Sequence, residues 1–172
     1  MAGSGEVGVE GHSIPCLGGR QRELISGREP ELSGLRQSTD PLIVLVDDEP
    51  TLTELIKLIF SLAGYNGLVS FPCGEGVLDY CRANRPTLLI TDICHPGPNG
   101  LELCRMIRED PMLADMPVIV CSATPSQFLG PLEEQKIAYF PKPCNLRELV
   151  EYIEGTVGLN MKRLSALLSK GG

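Results

Sequence analysis

The sequence predicts an α/β sandwich, a doubly wound five-stranded parallel sheet with helices on both faces. Three observations predict it. Short runs are apolar at every position rather than every second one, as strands buried on both faces require. Between them lie stretches whose apolar residues recur at three and four residue spacing, the pattern of a helix with one buried stripe. The two kinds alternate five times in about 118 residues, and strand-helix alternation of that length closes a parallel sheet with right-handed crossovers.

Taken in order, residues 42–46 form the first buried run, ending in Asp47-Asp48-Glu49. Pro50 opens a helix, because its fixed φ suits the first helical turn, and Gly64 closes it. Its buried stripe is Leu52, Leu55, Ile56, Ile59, Leu62 and Ala63. Residues 67–71 are a short strand, and residues 75–83 a helix with Val77, Leu78 and Cys81 on one face. Residues 87–91 are a second fully buried strand, followed by a Pro-Gly-Pro-Asn-Gly loop and a helix over 101–108. Residues 117–121 are a further buried strand, 125–135 a weaker helix and 137–140 the last strand. A final helix over 145–157 turns Leu146, Leu149, Val150, Ile153 and Val157 inward.

The 172 residues divide into a domain at 41–158 and two appendages, and the formal charge of −7 divides with them. Residues 1–40 carry 4 basic and 6 acidic side chains, residues 41–158 carry 8 and 16, and residues 159–172 carry 3 and none. A domain with twice as many acids as bases repels a phosphate backbone, so direct DNA or RNA binding is not expected of it. The first 40 residues hold 8 of the 19 glycines and no aromatic residue. They offer too little apolar surface to offset ordering entropy and read as a disordered leader. The tail at 159–172 has Met161, Leu164, Leu167 and Leu168 at helical spacing beside Lys162, Arg163 and Lys170. It reads as a short basic amphipathic helix, a sheet cap or a contact for a partner or a second copy of the chain. Neither a secretory leader nor a membrane span is expected, because the longest aliphatic runs are only a strand long. The seven cysteines show no C-x-x-C and read as reduced thiols, which together point to the cytoplasm.

In a doubly wound sheet, chemistry sits at the carboxyl ends of the strands. There the sequence puts Asp47 and Asp48, Asp92, Ser122 and Lys142, spread over about 95 positions. Each alone has a bland explanation as a cap, a turn residue or a solvated charge. Together they do not, because clustered carboxylates repel unless a cation lies among them. Carboxylate oxygens suit magnesium, which favours hard octahedral oxygen ligation, and no His or Cys cluster has zinc-ligand spacing.

The succession Val46-Asp47-Asp48-Glu49-Pro50, Leu88-Leu89-Ile90-Thr91-Asp92 with Pro96 and Gly100 beyond it, Val120-Cys121-Ser122-Ala123 and Tyr139-Phe140-Pro141-Lys142-Pro143 resembles the receiver domain of bacterial two-component response regulators. The resemblance covers residues 41 to about 157 and implies the flavodoxin-like receiver fold. It implies that Asp92 is the phosphoacceptor and that Asp47, Asp48, Asp92 and the backbone carbonyl of Cys94 hold Mg2+. It further implies that Lys142 pairs with the phosphoryl group, that Ser122 hydrogen-bonds it, and that Tyr139 is a switch residue following Ser122. The Lys142–Pro143 bond is expected cis. The implied function is a phosphorylation-activated signalling switch of single-domain type. It takes its phosphoryl group from a sensor histidine kinase or phosphotransfer protein and signals to a downstream protein target by protein contact. No enzyme activity is expected beyond the domain's own phosphorylation and dephosphorylation.

Two loop residues depart from the family pattern. His95 stands where an apolar residue is usual, and reads either as a titrating group that tunes the site or, more plainly, as a solvated loop histidine. Cys94 faces the phosphoryl position and is either redox-sensitive or held inert by the carboxylates around it. Two other readings compete with the switch. An aspartate-nucleophile phosphohydrolase would need an acid two residues after Asp92, where Cys94 stands. A phosphorylation-independent receiver-like binding module would have no use for Asp92, Lys142 and the acidic pair.

Overall fold

The structure, a computed structural model, describes residues 12–13, 41–123 and 130–158. In chain order the elements are β1 (His12–Ser13), β2 (Ile43–Val46), α1 (Pro50–Leu62), β3 (Leu68–Phe71), α2 (Val77–Asn84), β4 (Leu88–Thr91), α3 (Gly100–Glu109), β5 (Val118–Ser122), α4 (Gly130–Glu134), β6 (Ala138–Pro141) and α5 (Leu146–Val157). The strands form one sheet in the order β1-β3-β2-β4-β5-β6, and every pairing is parallel. Its five longer strands are those that the sequence predicts, within a residue or so at each end.

The continuous apolar runs follow from what covers the sheet. Ile43 and Leu45 of β2, Leu88 and Ile90 of β4, and Ile119 and Cys121 of β5 pack with Ile56, Ile59 and Phe60 of α1 and Leu149, Val150 and Ile153 of α5. The alternate residues Val44, Val46, Leu89, Val118 and Val120 pack with Val77 and Cys81 of α2, Leu103, Cys104 and Ile107 of α3, and Leu132 of α4. Each residue of β2, β4 and β5 therefore buries its side chain on one face or the other. Full burial of one such side chain stabilises the fold by about 1.5–3 kcal/mol.

Helix ends lie where local chemistry places them. Pro50 begins α1, and Gly64, at φ 80°, turns the chain after it. Asn99 caps α3 by accepting from the Leu101 and Glu102 N–H groups, while Glu102 accepts from the Asn99 N–H, a complete capping box. Asn145 caps α5 by accepting from the Arg147 and Glu148 N–H groups, and Gly158 ends it in the left-handed region.

The fold departs from expectation at its edge. Residues 1–40 read as a disordered leader, yet His12 and Ser13 pair in parallel with Val69 and Ser70. The physical reason is the open side of β3, whose unpaired N–H and C=O groups accept another strand. The rest of the leader and the tail at 159–172 lie outside the described residues, as does the start of the helix predicted over 125–135. The cysteines also differ from the reduced set that the sequence suggests. Cys73, just beyond β3, is disulfide-bonded, whereas Cys81, Cys94, Cys104, Cys121 and Cys144 form no disulfide. Spacing cannot reveal such a bond when the pairing depends on the fold. Among the described residues, no helix is long and apolar enough to cross a membrane.

An ion pair ties α2 to the end of α3. Arg82 Nε donates to Asp110 Oδ2 at 2.6 Å, and the Met112 N–H donates to Asp110 Oδ1 at 2.8 Å. Arg82, foremost, and this N–H hold the Asp110 carboxyl below the ordinary aspartate range. A depressed folded-state pKa adds stability above the unfolded value, and that stability is lost as pH falls through the folded one. Asp110→Asn keeps the bond to Met112 and removes the charge. Denaturant titrations from neutral to acid pH are expected to show a shallower loss of stability in the variant than in the parent chain; parallel acid limbs would refute the assignment.

Candidate functional site

The carboxyl ends of β2, β4, β5 and β6 lie side by side, so the sheet order itself gathers the predicted residues. Asp47 follows β2, Asp92 follows β4, Ser122 ends β5 and Lys142 follows β6. Lys142 Nζ donates to Asp47 Oδ2 at 2.8 Å and to Asp92 Oδ2 at 2.5 Å. The other Asp92 oxygen, Oδ1, accepts from Ser122 Oγ at 2.5 Å and from the N–H groups of Ile93 and Cys94 at 2.5 and 3.1 Å. Both oxygens of one buried carboxylate are thus held, and the group has a single orientation.

Electrostatics set the charge states. Burial opposes ionisation of Asp92, but the hydrogen bonds from Lys142, Ser122 and the Cys94 N–H outweigh it and hold the carboxyl below its usual range. Burial likewise works against the Lys142 ammonium, and the bonds to Asp47 and Asp92 overcome it and push its pKa upward. The site is therefore an ion cluster at neutral pH. Asp47 is buried, and its Oδ1 also accepts from the Glu49 N–H at 2.9 Å.

Asp48 is exposed, and ligand oxygens of Asp47, Asp48 and Asp92 lie within 4.8 Å of one another. Three carboxylates against one ammonium leave a formal charge of −2, which a divalent cation matches. An all-oxygen donor set of this kind fits magnesium. Beside it, a cleft of about 140 Å3 is lined by Asp47, Asp48, Thr53, Glu54 and Ser70, among others. Thr53 Oγ1 is buried there with no hydrogen-bond partner among the described residues, so one polar atom lies ready for a ligand or water.

Tyr139, predicted as a switch residue, is half-buried on β6, and its Oη donates to the Ser122 carbonyl at 2.9 Å. The same carbonyl accepts from the Lys142 N–H at 3.0 Å. Ser122 is thereby bonded to the acidic cluster through its hydroxyl and to β6 through its carbonyl. The Lys142–Pro143 peptide bond is cis.

The loop after β4 differs from the plainer of its two readings. His95 is not solvated but 8% exposed. Its Nε2 lies 3.1 Å from Thr91 Oγ1, which itself donates to the Asp92 carbonyl at 2.8 Å, and its Nδ1 faces the Pro96 carbonyl at 3.2 Å. The ring has room because Gly74 lacks a side chain; a Cβ there would meet His95 Cε1 at 2.9 Å and the Pro98 carbonyl at 2.1 Å. Neither the burial of His95 nor the Thr53 hydroxyl was legible in the sequence, since each depends on a neighbour from another element. Cys94 is exposed, and its N–H contacts Asp92.

Comparison with known proteins agrees with this geometry. Residues 43–154 match the family described as response regulator receiver domain. The chain is 31% identical over 132 residues to the DNA-binding response regulator MtrA of Mycolicibacterium smegmatis, covering 75% of this chain and 56% of that protein. It is 36% identical over 118 residues to the transcriptional regulatory protein BaeR of Escherichia coli, covering 66% and 47%. The chain thus spans about half the length of the curated relatives it matches. Among solved structures, a putative response regulator from Chloroflexus aurantiacus superposes with a TM-score of 0.62 at 26% identity, covering 69% of this chain and 98% of that one. A response regulator receiver protein from Pseudomonas putida gives the same values.

The Asp92 loop returns against itself at Gly100, where an added Cβ would stand 2.0 Å from the Asp92 carbonyl oxygen and 2.8 Å from Ile93 Cα. Backbone cannot yield as a flexible side chain does. Gly100→Ala is expected to cost about 1–3 kcal/mol, as overpacking typically does. Urea unfolding checks it through the midpoint at unchanged slope, and an unshifted midpoint would contradict the close approach.

Proposed function

The chain belongs to the response regulator receiver domain family, and from that premise we propose that Asp92 accepts a phosphoryl group and that this charge change is the signal the domain transmits. The observation that carries the proposal is the double hold on Asp92. Lys142 and Ser122 bond its two oxygens separately, with two further carboxylates within reach of one cation.

The residues divide the work. Asp92 supplies the attacking carboxylate oxygen, which bonds to phosphorus as the phosphorus–nitrogen bond of a phosphohistidine donor breaks. Asp47, Asp48, Asp92 and the Cys94 carbonyl would hold Mg2+. The ion, when bound, lowers the charge that a carboxylate meets in approaching an anionic donor. Lys142 stands beside Asp92 with a fixed positive charge for a phosphoryl oxygen, and Ser122 offers a hydroxyl donor for another. Both groups bond the carboxylate before transfer, so little reorganisation separates the resting site from the loaded one.

Transfer replaces the single negative charge of the Asp92 carboxylate by the nearly two of an acyl phosphate, and takes the site from a formal −2 toward −3. Lys142 and Ser122 then have stronger acceptors than Asp92 alone, and movement of Ser122 is communicated through its carbonyl to Tyr139 and β6. Output is protein contact on that face, to a downstream target or a second copy. The phosphoryl donor is a sensor histidine kinase or phosphotransfer protein, and the setting is the cytoplasm. The domain releases its phosphoryl group by hydrolysis at the same site and has no other catalytic role. The leader at 1–40 and the tail at 159–172 flank this domain as appendages.

Incubation with acetyl phosphate and Mg2+ is expected to add one phosphoryl group to the intact mass of the parent chain and none to Asp92→Asn. Lys142→Ala is expected to slow the addition about 100-fold or more, the scale for removing one positioned electrostatic group. An unmodified parent chain, or an Asp92→Asn chain that still gains the group, would overturn the assignment.

A further inference from the structure

The loop after β4 carries a polar ring where an apolar residue is usual, and the phosphoryl chemistry proposed above does not use it. Burying an imidazole is unfavourable unless its nitrogens find partners. The buried His95 finds them within its own loop. Thr91, fully buried at the end of β4, has one hydroxyl proton and donates it to the Asp92 carbonyl at 2.8 Å. Toward His95 the Thr91 oxygen is therefore an acceptor, and Nε2, 3.1 Å away, is the donor. On the other side of the ring, Nδ1 lies 3.2 Å from the Pro96 carbonyl, which also accepts from the Gly74 N–H at 2.9 Å.

Cys94 is thereby held from both directions along the chain. Its own N–H donates to Asp92 Oδ1 at 3.1 Å, and the residue after it is anchored through its ring. The carbonyls to either side of the pair are held as well, Ile93 by the Gly100 N–H at 3.0 Å and Pro96 by Gly74. Each residue has only two soft backbone dihedrals, so a chain fixed at these points leaves the Cys94 carbonyl little freedom. That carbonyl is the oxygen assigned above to Mg2+ beside the Asp47, Asp48 and Asp92 carboxylates. A carboxylate can turn about its side-chain bonds, whereas the aim of a carbonyl is set by the backbone alone.

We propose that His95 is a positioning residue for the cation site, and that its bond to Thr91 holds the Cys94 carbonyl in place for Mg2+. This deepens the reading of the site given above and rests on it. The place for the ring is built by a second loop, since a Cβ on Gly74 would stand 2.9 Å from His95 Cε1 and 2.1 Å from the Pro98 carbonyl oxygen. His95 thus lies between β4, through Thr91, and the turn that follows β3, through Gly74. An apolar side chain at position 95 would fill the same space and bond neither partner. The loop would keep its packing and lose the bond that orients it.

The test reads magnesium affinity rather than phosphoryl transfer. MgCl2 is titrated into the full chain and its variants, and the dissociation constant is taken from the shifts of backbone amide NMR signals. His95→Leu keeps the bulk and removes both ring nitrogens, and is expected to weaken binding about tenfold, the scale for losing a group that orients a metal ligand. His95→Gln, whose amide nitrogen reaches the place of Nε2, is expected to recover most of that loss. Thr91→Val removes the hydroxyl at nearly equal volume and is expected to weaken binding as His95→Leu does, with no further loss in the double variant. A folded His95→Leu chain that binds Mg2+ like the parent, a His95→Gln chain no better than His95→Leu, or additive losses in the double variant would each overturn the proposal. Should His95→Leu fail to fold, Thr91→Val decides, and parent-like binding by it would overturn the proposal. A parent chain that binds no Mg2+ would overturn the metal reading of the Asp cluster and the role of His95 with it, whereas a binding parent matched by its variants overturns the role of His95 alone.

Discussion

The Lys142 ammonium is the point on which the arrangement of this domain turns. It reaches from the end of β6 across β5 to Asp92 after β4 and Asp47 after β2. The Asp47 and Asp92 side chains are 1% and 9% exposed, and two such carboxylates so close together do not both stay ionised unless a cation compensates them. Removing one partner of a buried pair commonly costs about 3–5 kcal/mol, because the remaining charge stays desolvated. The strand order gathers these groups, and the lysine makes the gathering tolerable. What remains uncompensated is a formal −2, open to solvent on the Asp48 side.

Around that cluster the backbone is fixed by small residues and caps. The loop from Asp92 to α3 returns so closely that only glycine fits at position 100, and its exit is held by the Asn99 and Glu102 capping box. Gly74 gives the His95 ring its place beside Thr91, whose hydroxyl bonds the Asp92 carbonyl. The Asp92 carboxylate is therefore supported from behind by packing and from in front by Lys142 and Ser122. Preorganisation of this kind is what phosphoryl transfer asks of a protein that supplies little covalent chemistry beyond the acceptor oxygen.

How far this was legible in the sequence follows from what each feature depends on. The five longer strands and the helices between them could be read because burial on both faces leaves an unbroken apolar run, as in Ile43–Val46 and Leu88–Thr91. Asp47, Asp48, Asp92, Ser122 and Lys142 could be read because strand ends in a doubly wound sheet share one edge. The strand at His12–Ser13 could not, since two residues of ladder leave no periodicity. Nor could the buried His95 or the orphaned Thr53 hydroxyl, whose surroundings come from different elements. Patterns along a chain record which face a residue turns inward. They do not record which residue it meets there.

That distinction bears on where the domain can move. Strands β2, β4 and β5 are buried throughout, whereas β6 is only partly buried and ends exposed. A strand with less buried surface opens at lower free energy than the core strands do. Lys142, Ser122 and Tyr139 all bear on this weaker edge, Tyr139 from β6 itself, Lys142 from the residue after it and Ser122 through its carbonyl. A charge added at Asp92 therefore acts on a rigid carboxylate on one side and on the least buried strand of the longer five on the other. If Asp92 is the acceptor, as proposed, displacement passes to β6, whose residues have the least burial to lose.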